Sequence, residues 1–326
     1  MIFGETNVKL LSTVAGFVIA PWLIGSASAQ TVSIITTPAG SFSNSGGAAM
    51  AKVVNDKAKL RMIVQAQAGT GFEELEAGSA EFNVSNAFDV TFVATGTGEY
   101  EGQGPKKNLR YVASMVPYRV AMHVRADSDI KTIADLKGKR VSSGFNAQKT
   151  IGRIIEAHLA NAGLSYKDVA GVPTPNVVSQ ANDFKAGKTD VLFFALGSAA
   201  IKEAAATVGG LRVLPIDDSA DAVKRMQDIL PGSYVLNVAP APGIDGIAQP
   251  TKLIAFDMVL NSSTHVSEDI IYRAVKALYE SKADLAATFP PFALFAPDKM
   301  GKPVQGVENH PGAARFYKEA GIAPKS

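Results

Sequence analysis

Short runs of β-branched and other apolar residues alternate along the chain with stretches in which apolar residues recur every three to four positions. The first kind predicts strands over 31–37, 60–67, 81–85, 109–115, 119–125, 140–143, 191–195 and 211–216. The second predicts amphipathic helices. One sets Ile151, Ile154, Ile155, His158, Leu159 and Ala162 on one stripe and stops at Gly163. Another starts behind Ser267 as its N-cap and carries Ile270, Ile271, Ala274, Val275 and Leu278 at the same period. This alternation argues for α/β layers with largely parallel sheets. Two segments rich in Gly and Pro, 96–105 and 240–250, read as surface loops. The second separates strand-like SYVLNVA from LIAFDMVL, which suggests that the chain returns there to an earlier domain.

Composition narrows the picture. With 326 residues, 47% of them hydrophobic, the chain is long enough for two core-forming units. A net charge of +2 from 32 basic and 30 acidic residues, without a long run of either sign, gives no footprint for nucleic acid or an anionic membrane. Residues 1–29 stand apart: Lys9, an apolar run over 10–24, then Gly25-Ser26-Ala27-Ser28-Ala29. That is the pattern of a secretory signal cleaved near Ala29, because the run is shorter than the roughly 20 residues needed to span a bilayer. A retained membrane anchor is the alternative, favoured by Glu5 and Pro21. The expected location is the periplasm. With no cysteine, the exported chain has no disulfide, thiolate ligand or lipidated N-terminal Cys.

Candidate chemistry is mostly excluded by single residues. Lys149 and Thr150 imitate the end of a phosphate-binding G-x-x-x-x-G-K-[ST] loop, but Ser143 and Gln148 occupy both glycine positions. In AGTGFEEL, Gly69 and Gly71 imitate a dinucleotide fingerprint, with Asp89 further on as the acidic residue; Glu74 stands in place of the third glycine. The histidines at 123, 158, 265 and 310 show no metal-ligand spacing, and no G-x-S-x-G elbow is present. The expectation is a protein that is not an enzyme and uses no cofactor or metal.

What remains is five strand-to-helix turns rich in small polar residues: 37–47, 67–71, 85–89, 142–150 and 194–199. Open α/β sheets present ligands at the carboxyl ends of strands, where helix N-termini offer free N–H donors and partial positive charge. The turns supply the candidates Ser41, Phe42, Asn44, Gly69, Thr70, Asn86, Phe88, Asn146, Gln148, Thr150, Gly197 and Ser198. Each turn alone is also compatible with ordinary capping. A helix end contributes only about 0.3 to 1 kcal/mol to an anion, against about 8 kcal/mol for micromolar affinity. A cation is therefore wanted, and Arg119, beside Tyr118 at a strand edge, is the candidate, with a surface arginine as the alternative.

Over nearly all of the chain beyond residue 29, the sequence resembles the TAXI-type solute-binding proteins of TRAP transporters. The closing segment HPGAARFYKEAG (310–321) carries the resemblance, supported by SGGAAMAKVVN (45–55), IKTIADLKGKRVSSG (130–144) and VSEDIIYRAVKALYE (266–280). The resemblance implies the two-lobed fold of type II periplasmic binding proteins, with mixed sheets flanked by helices and a ligand cleft between lobes. Lobe 1 would be 30–122 with 235–326, and lobe 2 would be 123–234. It also implies delivery of the ligand to TRAP membrane subunits driven by an ion gradient; the helix ends and Arg119 make the expected ligand a small organic anion, such as a dicarboxylate, keto acid or acidic amino acid, and the expected state is a monomer. Where that family has two aromatic residues before the first helix, this chain has Ser43 and Asn44 behind Phe42, at positions that by analogy face the ligand, which argues for a different substrate. An ABC-type binding protein for an anion or cofactor precursor is the alternative function; an exported enzyme and an adhesion or sensory protein are more distant ones.

Overall fold

The computed structural model describes residues 1–4 and 29–322, so the apolar run of the expected signal sequence lies outside the described residues. The elements run β1 (Gln30–Thr36), α1 (Phe42–Lys57), β2 (Leu60–Ala66), α2 (Phe72–Ala77), β3 (Phe82–Asn86), α3 (Ala87–Thr95) and β4 (Leu109–Arg125). Then come β5 (Arg140–Gly144), α4 (Lys149–Asn161), β6 (Ala170–Thr174), α5 (Val177–Lys185), β7 (Leu192–Ala195), α6 (Ala199–Val208), β8 (Leu211–Leu214) and α7 (Ala220–Ile229). The chain closes with β9 (Tyr234–Val238), β10 (Thr251–Ser263), α8 (Glu268–Tyr279), α9 (Lys282–Thr288) and α10 (Pro311–Glu319).

This is a two-lobed α/β fold with two long strands, β4 and β10, paired antiparallel over most of their length. The main sheet follows the order β2-β1-β3-β10-β4-β7, with β8 also on β4 and β9 also on β10; β5 and β6 form a separate parallel pair. Parallel pairing joins β1 to β2 and β3, whereas β10 lies antiparallel to β3, β4 and β9. The strands expected over 109–115 and 119–125 are one strand, β4. Pro117 between them looks like a break, yet it pairs with Asp257 where the register of β10 shifts, and an irregular position tolerates the missing N–H. The lobe boundary expected after residue 122 therefore falls inside β4.

Adjacent residues of β1 are buried on opposite faces: Val32 and Ile34 join the core under α1 and α8, and Ile35 joins Phe72, Leu75 and Val90 under α2 and α3. Burial on both faces explains why the strand reads as a continuous apolar run rather than an alternation. In α4, Ile154, Ile155, His158 and Leu159 are buried, Ile151 and Ala162 half-buried, and Gly163 follows with φ +74°. The expected stripe and stop are both present. Ser267 stands at the N-cap of α8, although its side chain makes no capping bond.

The segment HPGA has a mechanical role. His310 caps α10 through Nδ1, which accepts from Gly312 N–H at 3.2 Å, while Nε2 donates to the Val266 carbonyl at 3.0 Å. Pro311 fills the first helical position, where its missing N–H costs nothing. A Cβ on Gly312 would stand 2.3 Å from the Glu268 carbonyl oxygen, so α10 and α8 touch backbone to backbone there. The closing motif thus fastens the last helix to the start of α8.

Candidate ligand-binding cleft

Four helix starts open on one cavity: those of α1 and α3, at the carboxyl ends of β1 and β3, and those of α4 and α5. Its volume is about 70 Å³, and it is lined from α1 by Ser41, Phe42 and Ser43, from α3 by Asn86 and Asp89, from α4 by Gln148 and Thr150, and from α5 by Val177. Tyr118 and Val120 of β4, Phe256 of β10 and Phe193 to Ala195 of β7 complete the wall. A neighbouring cavity of about 260 Å³ shares Thr70, Gln148 and Thr150 with the first and also takes in Gly69 and Asn146. Lys149, Glu73, Glu74 and Glu99 line that outer space.

Local hydrogen bonds fix this lining. Ser41 accepts from Asn44 N–H at 3.2 Å as the N-cap of α1, Ser43 accepts from Thr37 N–H at 3.2 Å, and the Thr37 hydroxyl bonds both serines. Gln148, itself buried, accepts from Val177 N–H at 2.9 Å, tying the start of α5 to that of α4. Aromatic rings form a continuous apolar side: Phe42 to Tyr118 at 4.8 Å and Tyr118 to Phe256 at 5.5 Å between centroids. Burial pushes the Tyr118 hydroxyl far above its ordinary range, so it stays a neutral donor.

Of the residues expected at the site, Ser41, Phe42, Thr70, Asn86, Tyr118, Gln148 and Thr150 line the inner cavity, and Gly69 and Asn146 line only the outer one. The others point elsewhere. Asn44 donates to Thr36 Oγ1 at 3.0 Å, within the α1–β1 packing. Phe88 packs edge-on against Phe256 at 4.9 Å and opens on a different cavity, with Thr91 and Gly232. Ser198 is buried and donates to the Ala195 carbonyl at 2.7 Å; Gly197, with φ +84°, makes the turn before α6, and neither lines the cavity. Arg119 lies between Tyr118 and Val120 on an extended strand, so its side chain leaves the opposite face of β4. Half-buried there, it has its pKa lowered by desolvation. The expected cation is therefore not in the cavity.

Two further residues stand out: Ser43, which the family resemblance puts against the ligand, and Asp89, which the sequence reasoning missed. Ser43 belongs to the Thr37–Ser41–Ser43 hydroxyl cluster, and Asp89 is, among the described residues, the only charged side chain lining the inner cavity. Asp89 is 1% exposed, and neither carboxylate oxygen has a hydrogen-bond partner. Desolvation raises its pKa to about 7; the nearby Tyr100 hydroxyl pulls the other way and the Glu99 charge adds to the rise. Its signal in the sequence is a lone carboxylate in the apolar helix AFDVTFVAT.

Among the described residues no group of three or more His, Cys, Asp or Glu is placed to hold a metal ion, and no helix is long and apolar enough to cross a membrane. The family model for the NMT1-like family matches residues 34–321, the greater part of the chain. The chain belongs to the NMT1-like family. Solved structures place this NMT1-like protein in the fold of type II periplasmic solute-binding proteins. The alkanesulfonate-binding protein SsuA from Xanthomonas axonopodis pv. citri, bound to MOPS, is 17% identical over 92% of this chain and 96% of its own, with a TM-score of 0.51. The periplasmic binding protein BugD reaches a TM-score of 0.56 at 9% identity, over 91% of this chain and 99% of its own. The ligand-binding component of an ABC-type import system from Staphylococcus aureus, with zinc bound, gives 0.51 at 8% identity, over 90% and 92%.

Proposed function

We propose that this protein is an extracytoplasmic receptor that captures a small organic acid in the cleft and delivers it to a membrane permease. The observation that carries the reading is the convergence of the α1, α3, α4 and α5 starts on one cavity whose other wall is aromatic. Helix ends and hydroxyls take the acidic group; the rings cover the carbon skeleton. Each hydroxyl or amide hydrogen bond adds roughly 0.5 to 1.5 kcal/mol, so several of them replace the cation first expected from Arg119. It is a binding protein and not an enzyme. We take 30–122 with 235–326 and 123–234 as the closing lobes, with β4 and β10 as the connection that bends, and residues 1–29 as the export signal.

The acid is a carboxylate or a sulfonate; the second class enters because a protein of the same fold is an alkanesulfonate-binding protein. For the permease, an ABC-type importer is better supported than a TRAP-type carrier, since one similar fold is the ligand-binding component of an ABC-type import system. The TRAP reading of the TAXI type rests on the sequence resemblance alone. A thermal-shift screen of organic carboxylates and sulfonates tests the receptor reading, because a ligand that binds only the native state raises Tm. A panel without a single stabilising acid would sink it. Uptake into vesicles carrying the cognate permease then separates the two classes: ATP dependence supports the first, and drive by an ion gradient without ATP supports the second.

A further inference from the structure

The receptor reading accounts for the hydroxyls, amides and rings of the cleft, and it leaves Asp89 unexplained. An anion receptor has no use for a carboxylate in its binding cavity. Yet Asp89 is buried and lines the cavity, and neither of its oxygens makes a hydrogen bond of normal geometry, the neighbouring Tyr100 hydroxyl being the one donor close enough to lower its pKa. A buried carboxylate without partners is destabilising, so its position calls for a partner that arrives from outside. Among the described residues no Lys, Arg or His lines the inner cavity to fill that part.

The surroundings specify the partner. Facing Asp89 are Tyr100 and Glu99 from the 3-10 turn Gly98–Tyr100 behind α3, and Tyr118 from β4. Glu99 is already paired, accepting from Arg153 Nε at 2.5 Å, and the Tyr100 hydroxyl sits 3.4 Å from Thr70 Oγ1. The rings of Phe42, Tyr118 and Phe256 line the same space. A carboxylate beside aromatic rings is the environment that selects a positively charged nitrogen, by a charge-assisted hydrogen bond and by cation–π attraction.

We propose that Asp89 receives a positively charged nitrogen of the ligand, so that the cleft selects an organic acid that also carries an ammonium or protonated ring nitrogen over a plain mono- or dianion. This rests on the reading of the cavity as the ligand site. The acidic group meets the helix starts and the nitrogen meets Asp89, which gives the ligand a fixed direction in the cleft. Because the nitrogen needs the ionised carboxylate, affinity falls as the pH drops through the region where Asp89 takes up its proton.

Calorimetric titration with matched probes tests this: taurine against isethionate, L-aspartate against L-malate, and L-phenylalanine against L-phenyllactate. Wild type and Asp89→Asn are compared between pH 5.5 and 8.5, with circular dichroism and Tm confirming that the variant is folded. The expected result is that the nitrogen-bearing member of at least one pair binds tenfold or more tighter than its oxygen analogue. Asp89→Asn removes that preference, and wild-type affinity for the nitrogen-bearing member weakens by up to tenfold per pH unit below about 7. Equal binding of both members overturns the proposal while leaving the receptor reading intact. So does tighter binding of the oxygen analogue at low pH, which would make Asp89 a proton donor to an anion. If no probe binds at all, the receptor reading falls together with it.

Discussion

Tyr118 and Arg119 are neighbours in the chain and face opposite sides of β4, and the difference is measurable. Arg119→Ala is expected to leave the Kd for the ligand identified by the thermal screen unchanged within about twofold, whereas Tyr118→Ala removes part of the aromatic wall and weakens it tenfold or more. A large loss at Arg119 in titration calorimetry would bring the cation back into the site. Much of the inner cavity was readable from the turn rule, because Ser41, Asn86, Gln148 and Thr150 sit where strands hand over to helices. Asp89 was not, since a carboxylate in the first turn of a helix is ordinary dipole compensation until its burial is known. The same burial shapes the pH dependence of stability. His123 and His158 are buried, and desolvation lowers both to about 4. Between about 4 and 6.5 the unfolded chain binds more protons at these positions, so their contribution is present above 6.5 and lost as the pH falls towards 4. Asp89, raised to about 7, acts in the opposite direction: its contribution is present below the ordinary carboxylate value near 3.8 and lost as the pH rises through 7. Two histidines against one carboxylate predict a net fall in Tm from pH 6.5 to 4.5. Asp89→Asn should steepen that fall and His123→Gln with His158→Gln should flatten it; a Tm profile unaltered by either change would refute the assignment.

Elements carry the second level of specification, and here the closing motif is the clearest case. His310 and Gly312 touch no part of the cleft, yet they join α10 to the start of α8. Gly312→Ala places a methyl group against the Glu268 backbone, which cannot swing aside as a side chain could. The expected cost is about 1 to 3 kcal/mol in urea unfolding, with ligand affinity retained once folded. A destabilisation under about 0.5 kcal/mol would mean that the two helices separate easily. The amphipathic stripes of α4 and α8 were legible because one apolar face is a local property of a dozen residues. The continuity of β4 was not, because it depends on β10: only the shift in pairing beside Asp257 makes Pro117 acceptable inside a strand. A proline reads as a break when the partner strand is unknown.

At the scale of the whole molecule, what matters is how the two walls of the cleft are held together. Arg153, on α4, ties that helix to α3 and to α7: its Nε donates to Glu99 at 2.5 Å, Nη1 donates to the Ile229 carbonyl at 3.2 Å, and the guanidinium sits 5.1 Å from the Phe92 ring centre. Glu99 and Phe92 belong to α3 and the turn behind it, so the arginine spans elements on either side of the ligand cavity. Side-chain exposures of 27% and 22% make this pair better shielded than an ordinary surface bridge, though still reached by salt. An exposed pair contributes about 0.2 to 1 kcal/mol and the ring contact a further 0.5 to 1. Arg153→Ala is therefore expected to shift the closed–open balance by about 1 to 2 kcal/mol, a loss of roughly five- to thirty-fold in affinity that appears mainly in the dissociation rate. Small-angle scattering of the ligand-free variant should give a larger radius of gyration than wild type, and wild type should move towards that value at high salt. The Glu99 and Phe92 contacts join the two proposed lobes and the Ile229 bond stays within one, all through side-chain atoms of Arg153, so its removal should leave the secondary structure intact. An unchanged radius of gyration and an unchanged dissociation rate would show that the lobes close without this latch.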